Sequence, residues 1–143
     1  MKLLSVDYGR RRIGVAVTDE EGRLVRGLNV IDRKKCIDSH QQLLKIIDDE
    51  KAEAIVFGLP LNDMDEETAM SREVRAFAAE IEKRCGLPIH FIDESFTSKR
   101  AAELTMFRKK KARRDKGLTD RIAACLILET FLEVYFIGDE NLT

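Results

Sequence analysis

Three acidic residues stand at points where a fold could give them chemical work. Asp7 closes the apolar run Leu3-Leu4-Ser5-Val6 and is followed by Tyr8-Gly9. A carboxylate at the end of a mostly buried strand is costly unless a cation or a hydrogen-bond donor meets it. One reading makes Asp7 a ligand for a divalent metal or a metal-bound phosphate, with Gly9 letting that ligand approach the backbone. The other folds its side chain onto the backbone of Gly9 in an Asx-type turn. Glu94 follows Asp93 at the end of a strand-like run, just ahead of a helix predicted to begin near Thr97 or Ser98. It is either a second metal-facing carboxylate or part of a solvated cluster that favours the helix's positive end. Asp120 falls in the first turn of a helix predicted over residues 118–132. From there a carboxylate can cap the helix or project over the first strand. The pair Ala123-Ala124 would let that helix approach the sheet closely.

Cations gather in two places. Arg10-Arg11-Arg12 follows the first strand, and residues 108–116 read Arg-Lys-Lys-Lys-Ala-Arg-Arg-Asp-Lys. The second block repels itself, so it is expected as a mobile loop, and its concentration of charge suits contact with phosphates. The formal net charge of the whole chain is only -1. Overall charge therefore does not mark a nucleic-acid binder, and the case rests on these patches.

The elements that must position these groups follow from hydrophobic periodicity. The first twenty residues read as two strands joined by a turn, and residues 24–31 as a third, giving an antiparallel meander. A helix is predicted over residues 39–50 from Leu43, Leu44, Ile46 and Ile47, capped by Asp38 or Ser39, with His40 an exposed surface residue. Residues 54–61 form a continuous apolar run ending in Gly58-Leu59-Pro60-Leu61, as in a buried parallel strand. The polar loop at 62–66 then lies at that strand's carboxyl end, where open α/β sheets place ligands. A helix follows over 67–85, with Met70, Val74, Phe77, Ala78 and Ile81 on one face, Gly86 at its end and Pro88 beyond. Residues 89–93 form a fifth strand, in which His90 is packed or at an edge. Helices over 98–107 and 118–132 complete the order β-β-β-α-β-α-β-α-α, and a polar frayed tail is expected from 138.

Other classes are set aside by what is missing. The 143 residues suit one domain with a sizeable core, spanning 1–143. No apolar run approaches the roughly 18–20 residues that cross a bilayer, and no signal-peptide layout opens the chain. Cys36, Cys85 and Cys125 are odd in number and widely spaced, without a C-x-x-C. They are expected as small buried apolar residues in a reducing, cytoplasmic setting, with neither a disulfide framework nor a zinc site. P-loop, G-x-G-x-x-G, H-E-x-x-H and G-x-S-x-G motifs are absent from the sequence.

Taken in order, four stretches resemble the YqgF/RuvX family of the ribonuclease-H-like superfamily. They are Asp7-Tyr8-Gly9 through Arg12-Ile13-Gly14-Val15-Ala16 to Asp19; Gly58-Leu59-Pro60; Asp93-Glu94-Ser95-Phe96-Thr97-Ser98; and Asp120 with Ala123-Ala124. The chain departs from the family's pattern at Glu66, where a Gly is frequent, and at Ser95, where an Arg is frequent. The resemblance implies an α/β fold: a five-stranded mixed sheet, three antiparallel strands and two parallel, flanked by helices. It implies a cytoplasmic nuclease, described as Holliday-junction resolvase-like or as acting on the 5′ end of pre-16S ribosomal RNA. Asp7, Glu94 and Asp120 then fall on the acidic positions expected to hold Mg²⁺ or Mn²⁺, two ions in all. Carboxylates suit such hard ions, whereas His and Cys do not. Arg10, Arg11, Arg12, Lys109, Lys110, Lys111, Arg113 and Arg114 would hold the nucleic-acid backbone, with the protein a monomer or a homodimer. Two rivals stand beside this reading. One is a non-catalytic nucleic-acid-binding module of the same fold. The other is an actin- or hexokinase-type phosphotransferase, which would need a second similar domain.

Overall fold

The computed structural model describes residues 1–94 and 116–140, with side chains for 1–94 and 120–135. Strand β1 (Leu3–Asp7) pairs antiparallel with β2 (Arg12–Thr18), with Ser5 opposite Ala16 and Asp7 opposite Gly14. The predicted third strand is instead two short pieces, β3 (Val25–Gly27) and β4 (Ile31–Asp32), both paired with β2. The break has a physical cause. Gly27 and Asn29 are poor strand formers, and Arg121 Nε donates to the carbonyl of Leu28 at 3.0 Å, taking an acceptor that strand pairing would use.

Helix α1 (Ser39–Glu50) has the predicted limits, and Asp38 caps it by accepting from the amides of His40 and Gln41. Strand β5 (Ala54–Leu59) runs parallel to β1 and stops before Pro60, which has no N–H to continue a ladder. Helix α2 (Ala69–Cys85) starts two residues later than its apolar pattern suggested. Thr68 and Ser71 cap it reciprocally, and Gly86, at φ 71°, turns the chain out of it. Strand β6 (Ile89–Asp93) runs parallel to β5, and α3 (Lys116–Glu140) closes the fold. The last helix thus continues past Gly138, where a frayed tail was expected. The helix predicted over 98–107 and the basic run 108–115 lie outside the described residues. The sheet order is β3-β2-β1-β5-β6, with β4 beside β2.

Strand alternation splits the core in two. Leu4, Val6, Ile13, Val15, Ile55 and Phe57 face α1 and α2, where Leu43, Ile47, Val74, Phe77 and Ile81 meet them. Ala16, Ala54, Val56 and Ile92 face α3 through Ala124, Ile127, Leu128 and Phe131. Each large aliphatic so buried contributes about 1.5–3 kcal/mol. His40 is half-buried rather than exposed, since its ring stacks on Phe77 at 4.2 Å. His90 packs on Phe131 and Tyr135. The three cysteines are free thiols, half-buried at the margins of the cores rather than fully enclosed. Among the described residues no helix is long and apolar enough to cross a membrane.

Candidate active site

The α3 face of the sheet carries the site. Asp7 and Gly14 share that face as register partners, so Asp7 has bare backbone beside it. A Cβ on Gly14 would lie 2.2 Å from the carbonyl oxygen of Asp120. The missing side chain is therefore the seat on which the start of α3 rests, and it brings Asp120 alongside β1. One turn further on, Ser5 Oγ donates to the carbonyl of Ala124 at 2.7 Å. This bond takes an acceptor from the helix and ties α3 to β1 in a buried setting. Gly58 does the same for the third acid. A Cβ there would stand 2.9 Å from Glu94 Oε1 and 2.5 Å from Ile127 Cδ1. The Glu94 amide also donates to the carbonyl of Leu59 at 3.1 Å, fixing the chain as it leaves β6.

The electrostatics of this corner are those of crowded carboxyls. Burial, then the charges of Glu94 and Asp120, push Asp7 up to about 8, and its hydrogen bond to Glu94 adds to the rise. Glu94 is raised too, by burial and by the charge of Asp93, with the bond from Asp7 opposing. Both shifts run in the direction expected of two crowded, hydrogen-bonded carboxyls, which favour holding a proton between them. Asp120 is held differently. Its Oδ2 accepts from Arg12 Nε at 2.8 Å, in a half-buried ion pair. As they stand, no group of three or more His, Cys, Asp or Glu side chains among the described residues is drawn tightly enough to hold a metal ion. The donor chemistry nevertheless fits one. Three hard oxygen donors repel one another, and a divalent cation would relieve that repulsion and displace the shared proton.

The structure thus brings Asp7, Glu94 and Asp120 into one electrostatic unit. The cations of the sequence reading are placed less simply. Arg10 Nε donates to Glu73 Oε2 at 2.9 Å, Arg11 Nε lies 3.8 Å from Asp32, and Arg12 is taken by Asp120. Lys109, Lys110, Lys111, Arg113 and Arg114 lie outside the described residues. Ala124 makes the close approach to the sheet, and Ala123 is only half-buried. Gly14, Gly58 and Ser5 were not singled out as positioning residues. A glycine inside a strand pattern is a signal of close backbone approach, and Gly14 and Gly58 both carried it. A cavity of 570 Å³ lies away from the acids, between the carboxyl ends of α1 and α2, lined by Leu44, Lys51 and Cys85 among others.

An antiparallel hairpin followed by parallel crossovers, with acids on β1, after β6 and at the start of the closing helix, is the ribonuclease-H-like arrangement. Residues 1–134 match the family model RuvX, described as Holliday junction resolvase, and the chain belongs to that family. A relative from Maridesulfovibrio salexigens, which carries the provisional name pre-16S rRNA nuclease, is 39% identical over 132 residues, 92% of this chain and 98% of its own. One of the same name from Thermosynechococcus vestitus is 35% identical over 133 residues, covering 93% of this chain and 88% of that protein. Among solved structures, T. thermophilus RuvC in complex with a Holliday junction substrate superimposes with a TM-score of 0.62 at 18% identity, covering 94% of this chain and 96% of that one. The fowlpox virus Holliday junction resolvase gives 0.57 at 10% identity, covering 94% and 99%. At these identities the two structures attest the fold.

Proposed function

We propose that the chain is a metal-dependent nuclease that hydrolyses phosphodiester bonds in structured nucleic acid. The observation that carries this reading is the buried, hydrogen-bonded carboxyl pair Asp7–Glu94, with Asp120 seated beside it on Gly14. The names of the relatives point to pre-16S ribosomal RNA as substrate, and the family description to a four-way junction. Asp7, Glu94 and Asp120 are the residues that would hold the Mg²⁺ or Mn²⁺ ions. Two such ions supply an activated water and stabilise the charge that develops on the phosphate and the leaving oxygen. The chain's own part is to hold three carboxylates on a rigid sheet floor and helix start, and to compensate Asp120 with Arg12. Arg10, Arg11, Arg12 and the basic run 108–116 would contact the backbone of the substrate. The engagement of Asp120 by Arg12 favours one other reading, a binding module in which the third acid never turns to a metal.

The deciding experiment sets a ribosomal RNA precursor and a four-way DNA junction side by side with Mg²⁺ or Mn²⁺, using Asp7→Asn as the blank. Cleavage of neither by the parent protein leaves the binding-module reading. Asp120→Asn separates the two readings further. Because α3 begins at Lys116, Asp120 lies in its second turn rather than in the first as expected, and it cannot cap the helix. A purely structural Asp120 would lose only part of its pairing with Arg12 on becoming Asn, a loss of about 1 kcal/mol. A metal-facing Asp120 would lose metal affinity and orders of magnitude in cleavage while nucleic-acid binding persists. Isothermal titration of the metal, run beside the cleavage assay, distinguishes them.

The basic run has its own test. Neutralising Lys109, Lys110, Lys111, Arg113 and Arg114 together should weaken nucleic-acid binding and flatten the slope of log affinity against log salt by several units, at about 0.7–0.9 per lost phosphate contact. Thermal stability should hardly change, since exposed charges contribute little to folding. An unchanged slope would reduce the run to a solvated surface.

A further inference from the structure

Four arginines surround the turn that follows Asp7. Three meet carboxylates: Arg10 with Glu73, Arg11 with Asp32 and Arg12 with Asp120. Arg33, just after β4, is arranged differently. Among the described residues no carboxylate lies within ion-pair distance of it. Its Nη1 donates to the carbonyl of Gly9 at 3.1 Å, two residues beyond Asp7. Its guanidinium carbon stands 5.1 Å from the centre of the Tyr8 ring and 5.8 Å from that of Phe77. Those rings are themselves fixed, 5.1 Å apart, with His40 stacked on the far partner at 4.2 Å. Tyr8 Oη also donates to Glu73 Oε1 at 3.4 Å, and Glu73, the carboxylate that feels the charge of Arg33, is occupied by Arg10.

A guanidinium has five N–H donors, and among the described residues this one spends one of them on protein. Cation–π contact and the Gly9 bond fix its plane before any ligand arrives, so little rotamer entropy remains to be lost on binding. Its position is set by the same turn that sets Asp7. An anchored, half-buried cation with unused donors matches the fork geometry of a phosphate. We propose that Arg33 is a substrate-positioning residue that grips a backbone phosphate of the nucleic acid at the turn after Asp7, on the α1/α2 side of that sheet end and across it from the carboxylates. The inference rests on the nuclease reading and adds to it a cation that the sequence leaves inside an ordinary polar connector.

The test measures binding without cleavage. In an Asp7→Asn background, a labelled four-way junction and a labelled structured ribosomal RNA fragment are titrated across a salt series. Arg33→Gln is expected to weaken binding roughly tenfold and to lower the salt slope by about one unit. Arg33→Lys should restore most of the slope but only part of the affinity, because a point charge replaces a fork. Unchanged slope and affinity in Arg33→Gln, with the parent binding normally, overturn the proposal alone. The same holds if Arg33→Gln lowers the melting temperature and leaves the slope intact, since that is a packing role. If the Asp7→Asn parent binds neither probe, the nucleic-acid reading falls and this proposal falls with it.

Discussion

Asp7→Asn is expected to abolish cleavage, by at least about a thousandfold, and to make the metal-free protein more stable at pH 8 than the parent. Both effects have one origin. Burial and the charges of Glu94 and Asp120 push the Asp7 carboxyl from the ordinary aspartate range, about 4, up to about 8. Between those values the folded protein keeps a proton that the unfolded chain has released. Stability is therefore greatest at and below pH 4 as far as this group is concerned, declines as pH rises, and has lost the contribution once pH passes about 8. Glu94 is shifted in the same direction and steepens the decline, while Arg12 keeps Asp120 compensated. The size of the effect is on the order of a few kcal/mol. Asparagine has no proton to lose, so the variant should show a flatter profile. Mg²⁺ or Mn²⁺ competes with the proton and binds only the folded form, so its stabilisation of the parent should grow with pH and shrink in the variant. Thermal scans from pH 5 to 9, with and without millimolar metal, measure all of this. A parent whose melting temperature ignores metal at pH 8, or a variant with the parent's pH profile, would refute the account.

Gly14→Ala is the second large effect, and it alters no carboxyl group. Its new Cβ would sit 2.2 Å from the carbonyl oxygen and 2.8 Å from the carbonyl carbon of Asp120. Both are backbone atoms, so no rotamer change relieves the clash, and the start of α3 must lift from β2. Overpacking of this kind costs about 1–3 kcal/mol. The functional loss should be far larger than that stability loss, since an error of about 1 Å at a reacting geometry can cost a hundredfold. Gly86→Ala provides the contrast. That glycine has φ 71° but nothing within 4 Å of its added Cβ. It should lose about 1 kcal/mol from backbone strain and keep normal metal-dependent cleavage per folded molecule. If the two variants lost activity in proportion to stability alone, the seating of α3 on Gly14 would have no special bearing on the site.

Local features were legible in the sequence where one stretch of chain decides them. The periodicity of Leu43 and Ile47 with Asp38 ahead set α1, Gly86 set the end of α2, and the unbroken run before Pro60 set β5. What could not be read depends on segments far apart in the chain. The split of the third strand comes from Arg121, 93 positions after Leu28. Arg12 reads as a free cation in a basic triplet, yet its partner is Asp120, 108 positions away. Asp7 was conspicuous because a carboxylate in an apolar strand needs a reason. Its register partner Gly14 became meaningful only when a helix came to rest on it. The fold was confirmed by likeness of structure and the family by likeness of sequence, whereas the roles of the individual acids await the variants above.

The hydrogen bond from Ser5 to Ala124 also bears on when the molecule becomes active. It joins positions 119 apart, so closing it belongs to the slow, entropically costly part of folding. During synthesis Asp7 is made early, and its partner acid at position 120 arrives more than a hundred residues later. Until α3 docks, the sheet face bearing Ala16, Val56 and Ile92 lacks the packing that Ala124, Ile127 and Leu128 supply, and Asp120 is not beside Asp7. If the three acids act together as proposed, competence to cut is coupled to completion of the fold, and a chain arrested before its last helix would carry the first acid without its partner.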